Sequence, residues 1–215
     1  MAEKINVLAV DDEPYFLELF TNRFSALVEA LGSQLRRTAV STNVKERLDF
    51  SCALFDRAGE MLAQAAHIPV HLGSMPLSVQ AALAAFDPAA MSAGDRFVVN
   101  DPFAGGTHLP DITVIATCIL PGEKTSRFFV ANRAHHADIG ASSPGSMPVS
   151  RSVLEEGRVI EPVHLLRRGK RQGTQKVVLP EGYLDDLDDA TPAWPLWLPA
   201  WTGRSTMRRS RLPCA

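Results

Sequence analysis

Ile112-Thr113-Val114-Ile115-Ala116-Thr117-Cys118-Ile119-Leu120 is followed, after Pro121-Gly122-Glu123-Lys124, by Arg127-Phe128-Phe129-Val130-Ala131-Asn132-Arg133. Both runs are rich in β-branched and aromatic residues, and the Pro-Gly segment between them reads as a turn. Two strands joined this tightly pair antiparallel, because a parallel pair needs a crossover of a dozen or more residues. Working upstream, residues 97–100 read as another strand. Residues 50–55 and 61–64 read as a hairpin around Asp56-Arg57-Ala58-Gly59. Residues 14–37 differ in period: Phe16, Phe20, Phe24, Leu27, Val28, Leu31 and Leu35 recur at steps of three and four, the stripe of an amphipathic helix. Asp11, Asp12 and Glu13 before it and Arg36 and Arg37 at its end match the helix dipole. Ser74 reads as the N-cap of a shorter helix with Pro76 in its first turn, ending near Phe86. The expected fold is α+β: an N-terminal helix, then mainly antiparallel strands with Gly/Pro-rich loops.

The chain has 215 residues, 46% of them hydrophobic and 21% charged, which are ordinary values for a folded protein with a full core. A net charge of −2 offers no field for nucleic acid or an anionic membrane. The apolar run at 112–120 is too short to span a bilayer. Cys52, Cys118 and Cys214 are odd in number and lack metal-type spacing, and no basic-then-apolar leader opens the chain. The expectation is a cytoplasmic protein. Residues 1–13 read as an extension and 14–169 as the patterned region. Beyond Gly169 the strand-like pattern stops, and 170–215 reads as a poorly packed tail in which Trp194, Trp197 and Trp201 lie close together before a run of arginines.

The residues able to do chemistry cluster at the ends of strand-like runs. Asn100-Asp101-Pro102-Phe103-Ala104-Gly105-Gly106-Thr107-His108-Leu109-Pro110-Asp111 contains one His-x-x-Asp, and Ala134-His135-His136-Ala137-Asp138-Ile139-Gly140 contains a second. With Asp101 these offer imidazoles and carboxylates from two loops, a donor set suited to Zn, Mn or Fe. The candidate ligands are therefore Asp101, His108, Asp111, His135 and Asp138. The competing reading has each Asp ordering its own loop and each His packed in the core. The two glycines, Gly105 and Gly106, allow close backbone approach or positive φ. His67 and His71 flank Pro69, which suggests an extended segment pointing both rings one way toward substrate. Lys45 and Arg47 are candidate substrate contacts against a default of a solvated charged surface. Ser146 lies in a Ser/Pro/Gly loop suited to an active site, and His164 reads as an isolated surface residue. No phosphate-binding loop and no Gly-x-Ser-x-Gly elbow occurs.

Taken jointly, five stretches resemble hydantoinase B and 5-oxoprolinase proteins in that family's order: 41–56, 67–75, 100–111, 131–140, and 144–148 followed by Glu155-Glu156-Gly157. The resemblance implies the B-type component of an ATP-dependent hydrolase that opens cyclic amides, either 5-oxoproline to glutamate, as in glutathione metabolism, or hydantoins. It implies an A-type partner that binds ATP and phosphorylates the ring, so this chain would use ATP only through that partner. Related acetone carboxylases use a similar subunit with a bound metal. Mapped onto the motifs, the family pattern falls on Asp101, His108, Asp111, His135 and Asp138, with His136 on a variable position. B-type proteins are longer, so the resemblance implies an incomplete domain. One alternative is an inactive fragment that binds an A-type partner. Another is a response-regulator receiver, suggested by Ile5-Asn6-Val7-Leu8-Ala9-Val10-Asp11-Asp12-Glu13, where paired carboxylates would hold Mg²⁺.

Overall fold

The computed structural model describes residues 14–65, 67–146 and 148–171. The extension at 1–13 with its acidic residues, Cys214 and the Trp-containing tail beyond residue 171 lie outside the described residues. Helix α1 (Pro14–Thr38) leads into a single turn, α2 (Thr42–Lys45). Strands β1 (Phe50–Asp56) and β2 (Met61–Gln64) form the expected hairpin, followed by α3 (Pro69–Ala85). Then come β3 (Arg96–Val99), β4 (Asp111–Cys118), β5 (Phe128–His135), the short α4 (Val153–Glu156), β6 (Val163–Arg167) and the two-residue β7 (Lys170–Arg171). The strands form one sheet in the order β2-β1-β5-β4-β3-β6-β7, and every neighbouring pair runs antiparallel. Among the described residues no helix is long and apolar enough to cross a membrane.

The two-residue period of a strand sorts the core onto two faces. Phe50, Cys52 and Leu54 of β1 pack with Val130 and Ala134 of β5 beneath Val28, Leu31 and Leu35 of α1. The intervening Ala53 and Phe55, with Phe129, Ala131, Phe97 and Ile115, pack beneath Leu72, Met75, Val79 and Ala82 of α3. Toward the other edge Ile112, Val114 and Val98 are covered by Ile139 and Ile160.

Three expectations need correction. Helix α3 begins at Pro69, not after Ser74. Pro is tolerated at the first helical position, where its missing N–H has no intrahelical partner anyway. Ser74 is therefore no N-cap; its Oγ donates back to the Val70 carbonyl at 2.9 Å. As a result His71 rides on a helix, not on an extended segment, and Pro76 lies inside that helix. His164 is a strand residue of β6, its ring centroid 4.5 Å from Phe86 and 4.6 Å from Phe97. Strand structure also continues past Gly169, through Lys170 and Arg171.

Candidate metal centre

The face of the sheet under the first turns of α3 is not apolar throughout. Ser51, Arg133 and Thr113 stand opposite one another on β1, β5 and β4. One step along the same face, Asp111 opens β4 directly opposite His135, which closes β5. Antiparallel register thus puts two residues 24 apart in sequence side by side. Asn43 of α2 supports this end, its amide donating to the His135 carbonyl at 3.4 Å.

The loop between β3 and β4 delivers His108. Asp101 caps its 3-10 turn (Pro102–Ala104), accepting from the Phe103 N–H at 2.9 Å. Gly105 then takes φ +83°, where an added Cβ would lie 2.3 Å from the Ser78 backbone nitrogen on α3. At Gly106 an added Cβ would meet the Asn100 carbonyl oxygen at 2.3 Å. The wholly buried Asn100 fastens the loop's ends, its amide donating to the Leu109 and Arg158 carbonyls while its oxygen accepts from the Ile160 N–H. Arg133, also wholly buried, donates to Thr113 Oγ1 at 2.7 Å, Ser78 Oγ at 2.8 Å, the Gly105 carbonyl at 2.9 Å and Ser74 Oγ. This guanidinium ties sheet, helix and loop together. Burial lowers its pKa to about 10, against the opposing pull of Asp111.

Three side chains converge at the end of this framework. His108 Nε2 lies 2.9 Å from Asp111 Oδ1 and 3.1 Å from His135 Nδ1, and His135 Nδ1 lies 3.0 Å from Asp111 Oδ1. The two rings are 4.9 Å apart. Asp111 is 2% and His135 5% exposed, whereas the His108 side chain is 33% exposed, so the group opens to solvent on the His108 side. Burial acts to raise the Asp111 pKa, but hydrogen bonds from His108, His135, His71 and Thr107 together hold its carboxyl well below the usual range. The hydrogen bond to Asp111 raises the pKa of His108 against the effect of burial. On the far side of the His135 ring, Nε2 lies 2.9 Å from Ser146 Oγ. Neighbouring His136 is buried, and burial first, then His135, depresses its pKa to about 3.

The donor chemistry suits a divalent metal: two imidazole nitrogens and one carboxylate oxygen. Atoms bonded to one ion at roughly 2.1 Å sit roughly 3.0–3.4 Å apart at octahedral or tetrahedral angles. The three separations here lie around the short end of that range, and among the described residues His108, Asp111 and His135 form the group able to share an ion. Asp101 and Asp138, proposed from the sequence as further ligands, are not in this group. Each caps its own loop, Asp138 accepting from the Gly140 N–H at 2.8 Å. Of the candidate substrate residues, Lys45 and Arg47 are exposed around α2. His67 packs against Phe50 at 4.9 Å, with its Nδ1 accepting from the Cys52 N–H. Burial lowers the His67 pKa. His71 touches the group from behind, 3.2 Å from Asp111 Oδ2.

Residues 13–179 match the hydantoinase B/oxoprolinase family, which covers every residue of this group and continues past Gly169. The chain belongs to that family. It is 48% identical to the 5-oxoprolinase of Saccharomyces cerevisiae over 162 residues, which is 74% of this chain and 12% of the yeast protein. It is 33% identical to caprolactamase subunit beta of Pseudomonas jessenii over 139 residues, 64% of this chain and 23% of that subunit. The crystal structure of the ATP-dependent caprolactamase from the same organism shares the fold, with a TM-score of 0.74 at 24% identity over 89% of this chain and 34% of that one. The chain thus spans about an eighth of the yeast relative's length.

Thr107, Ser51 and Arg133 take part in the site without having been picked out from the sequence. Arg133 carried a signal: an arginine in a β-rich run, on the same alternating face as Phe129 and Ala131, must be either paired or costly. Thr107 and Ser51 carried none that distinguishes them from the chain's other hydroxyls.

Proposed function

We propose that this chain contributes the ring-opening, B-type part of an ATP-dependent cyclic-amide hydrolase, with a divalent metal held by His108 Nε2, Asp111 Oδ1 and His135 Nδ1. The observation that carries the reading is the convergence of these three atoms at one partly open, otherwise buried point of a family fold. When bound, such an ion polarises an amide carbonyl or lowers the pKa of water toward neutrality. The chain's own residues do the rest. His108, on the exposed side, faces the incoming substrate, while Asp111 and His135 anchor the group to the sheet. Ser146 Oγ can accept from His135 Nε2–H, which leaves the Nδ1 lone pair directed at the site. The ion is Mn, Zn or Fe by donor type. ATP is used through an A-type partner, a reading supported by the lack of a phosphate-binding loop in the sequence and by likeness to a protein named as the beta subunit of a caprolactamase. The substrate is a small cyclic amide.

Elemental analysis of the purified 215-residue chain tests the centre. His108→Ala and His135→Ala should each abolish stoichiometric metal while the far-UV circular dichroism stays unchanged. Full metal content in both variants would refute the site. Co-expression with an A-type component should yield ATP-dependent ring opening that the same substitutions remove.

A further inference from the structure

We propose that His71 is a positioning residue that fixes Asp111 as a one-oxygen ligand, an inference that rests on the metal reading above. The two carboxylate oxygens of Asp111 have different surroundings. Oδ1 faces His108 and His135, whereas Oδ2 accepts from Thr107 Oγ1 at 2.6 Å and faces His71 Nε2 at 3.2 Å. A quarter-turn of the carboxylate would break both Oδ2 contacts, so the pair locks its rotation.

The tautomer follows from the next contacts. His71 is 2% exposed, and buried polar groups of this kind are hydrogen-bonded. Its Nδ1 lies 3.3 Å from Ser51 Oγ, and that oxygen already accepts from the Ile68 N–H at 3.1 Å. Ser51 can then give its hydroxyl proton to Nδ1, which sends the Nε2 proton to Asp111 Oδ2. Asp49 Oδ1 stands 3.8 Å from Nε2, beyond hydrogen-bond reach. The chain Ser51–His71–Asp111 thus runs from β1 through α3 to the ligand on β4. Both nitrogens of His71 face inward partners, so the ring is not available as the substrate contact its sequence position suggested.

Partners behind a ligand change metal affinity by about 10–100-fold when removed. Mn²⁺ titration of the full chain, followed by electron paramagnetic resonance, should give one site in the wild type. His71→Leu should weaken it by about 10–100-fold, and His71→Gln, whose amide can still donate to Oδ2, should recover most of the loss. Equal affinity in wild type and His71→Leu would overturn the positioning role while leaving the metal centre intact; no Mn²⁺ binding by the wild type would refute the centre itself. Nitrogen-15 spectra of the wild-type imidazoles give a check that does not depend on any variant folding. They should show His71 protonated at Nε2 and bare at Nδ1, and the opposite tautomer would overturn the proposal.

Discussion

Replacing Gly105 by alanine should break the candidate centre from a distance. The residue has φ +83°, a backbone state that costs an L side chain about 1–2 kcal/mol. The added Cβ would also lie 2.3 Å from Ser78 N and 2.4 Å from the Leu77 carbonyl carbon, where ordinary contact is roughly 3.5–4.0 Å. Both are helix backbone atoms, so the loop must move by about 1 Å, an overpacking cost of about 1–3 kcal/mol. The total is about 2–5 kcal/mol. Gly122 is the internal control: its φ is +86°, but nothing lies within 4 Å of an added Cβ, so Gly122→Ala should cost only about 1–2 kcal/mol. Urea unfolding monitored by circular dichroism measures both, read as a shift in midpoint at constant slope. The displaced loop carries His108 three residues further on, so Gly105→Ala should also lose bound metal whereas Gly122→Ala should keep it. Equal destabilisation of the two variants, or full metal content in Gly105→Ala, would refute the close loop–helix contact on which this reasoning depends.

Removing the buried guanidinium should test the clamp. Arg133→Met is expected to destabilise by about 1–3 kcal/mol, chiefly by leaving Thr113 Oγ1 without its charged donor. Adding Thr113→Val should return part of that loss in a double-mutant cycle, and strict additivity would argue against the contact. The thiols give a chemical check of burial. Burial, helped by Glu29, pushes Cys52 up to about 12, and burial with Glu123 pushes Cys118 up to about 11. At pH 8 the native chain should therefore alkylate more slowly at both than after unfolding, with Cys52 slowest, as peptide mass spectrometry would report. Cys52 labelling as fast as in the unfolded chain would contradict its place beneath α1.

The amino-acid sequence by itself determined the elements whose signal is local. The three-four stripe from Phe16 to Leu35 belongs to α1, the Asp56–Gly59 turn marks the β1–β2 hairpin, and the Pro121–Lys124 turn joins the two central strands. The family was legible as well, because five motifs in a fixed order constrain far more than any one of them. Local pattern misplaced the start of α3, because two prolines seven residues apart each satisfy the rule for a first helical turn. It also missed β6, where His164 occupies a strand position between two phenylalanine rings.

The sequence grouped Asp101, Asp111 and Asp138 alike with the two histidines. Tertiary structure separates them through register. Asp111 begins β4 opposite the end of β5, so its carboxylate meets His135 across the ladder, while Asp101 and Asp138 sit in turns and accept from the backbone N–H groups of Phe103 and Gly140, two residues on. A side chain in a turn can bond locally at little entropic cost, whereas one on a strand end has its direction set by the sheet. The same logic assigns His71 its place. Only when α3 is laid across the polar row of Ser51, Arg133 and Thr113 does a histidine forty residues earlier in sequence reach the far oxygen of Asp111.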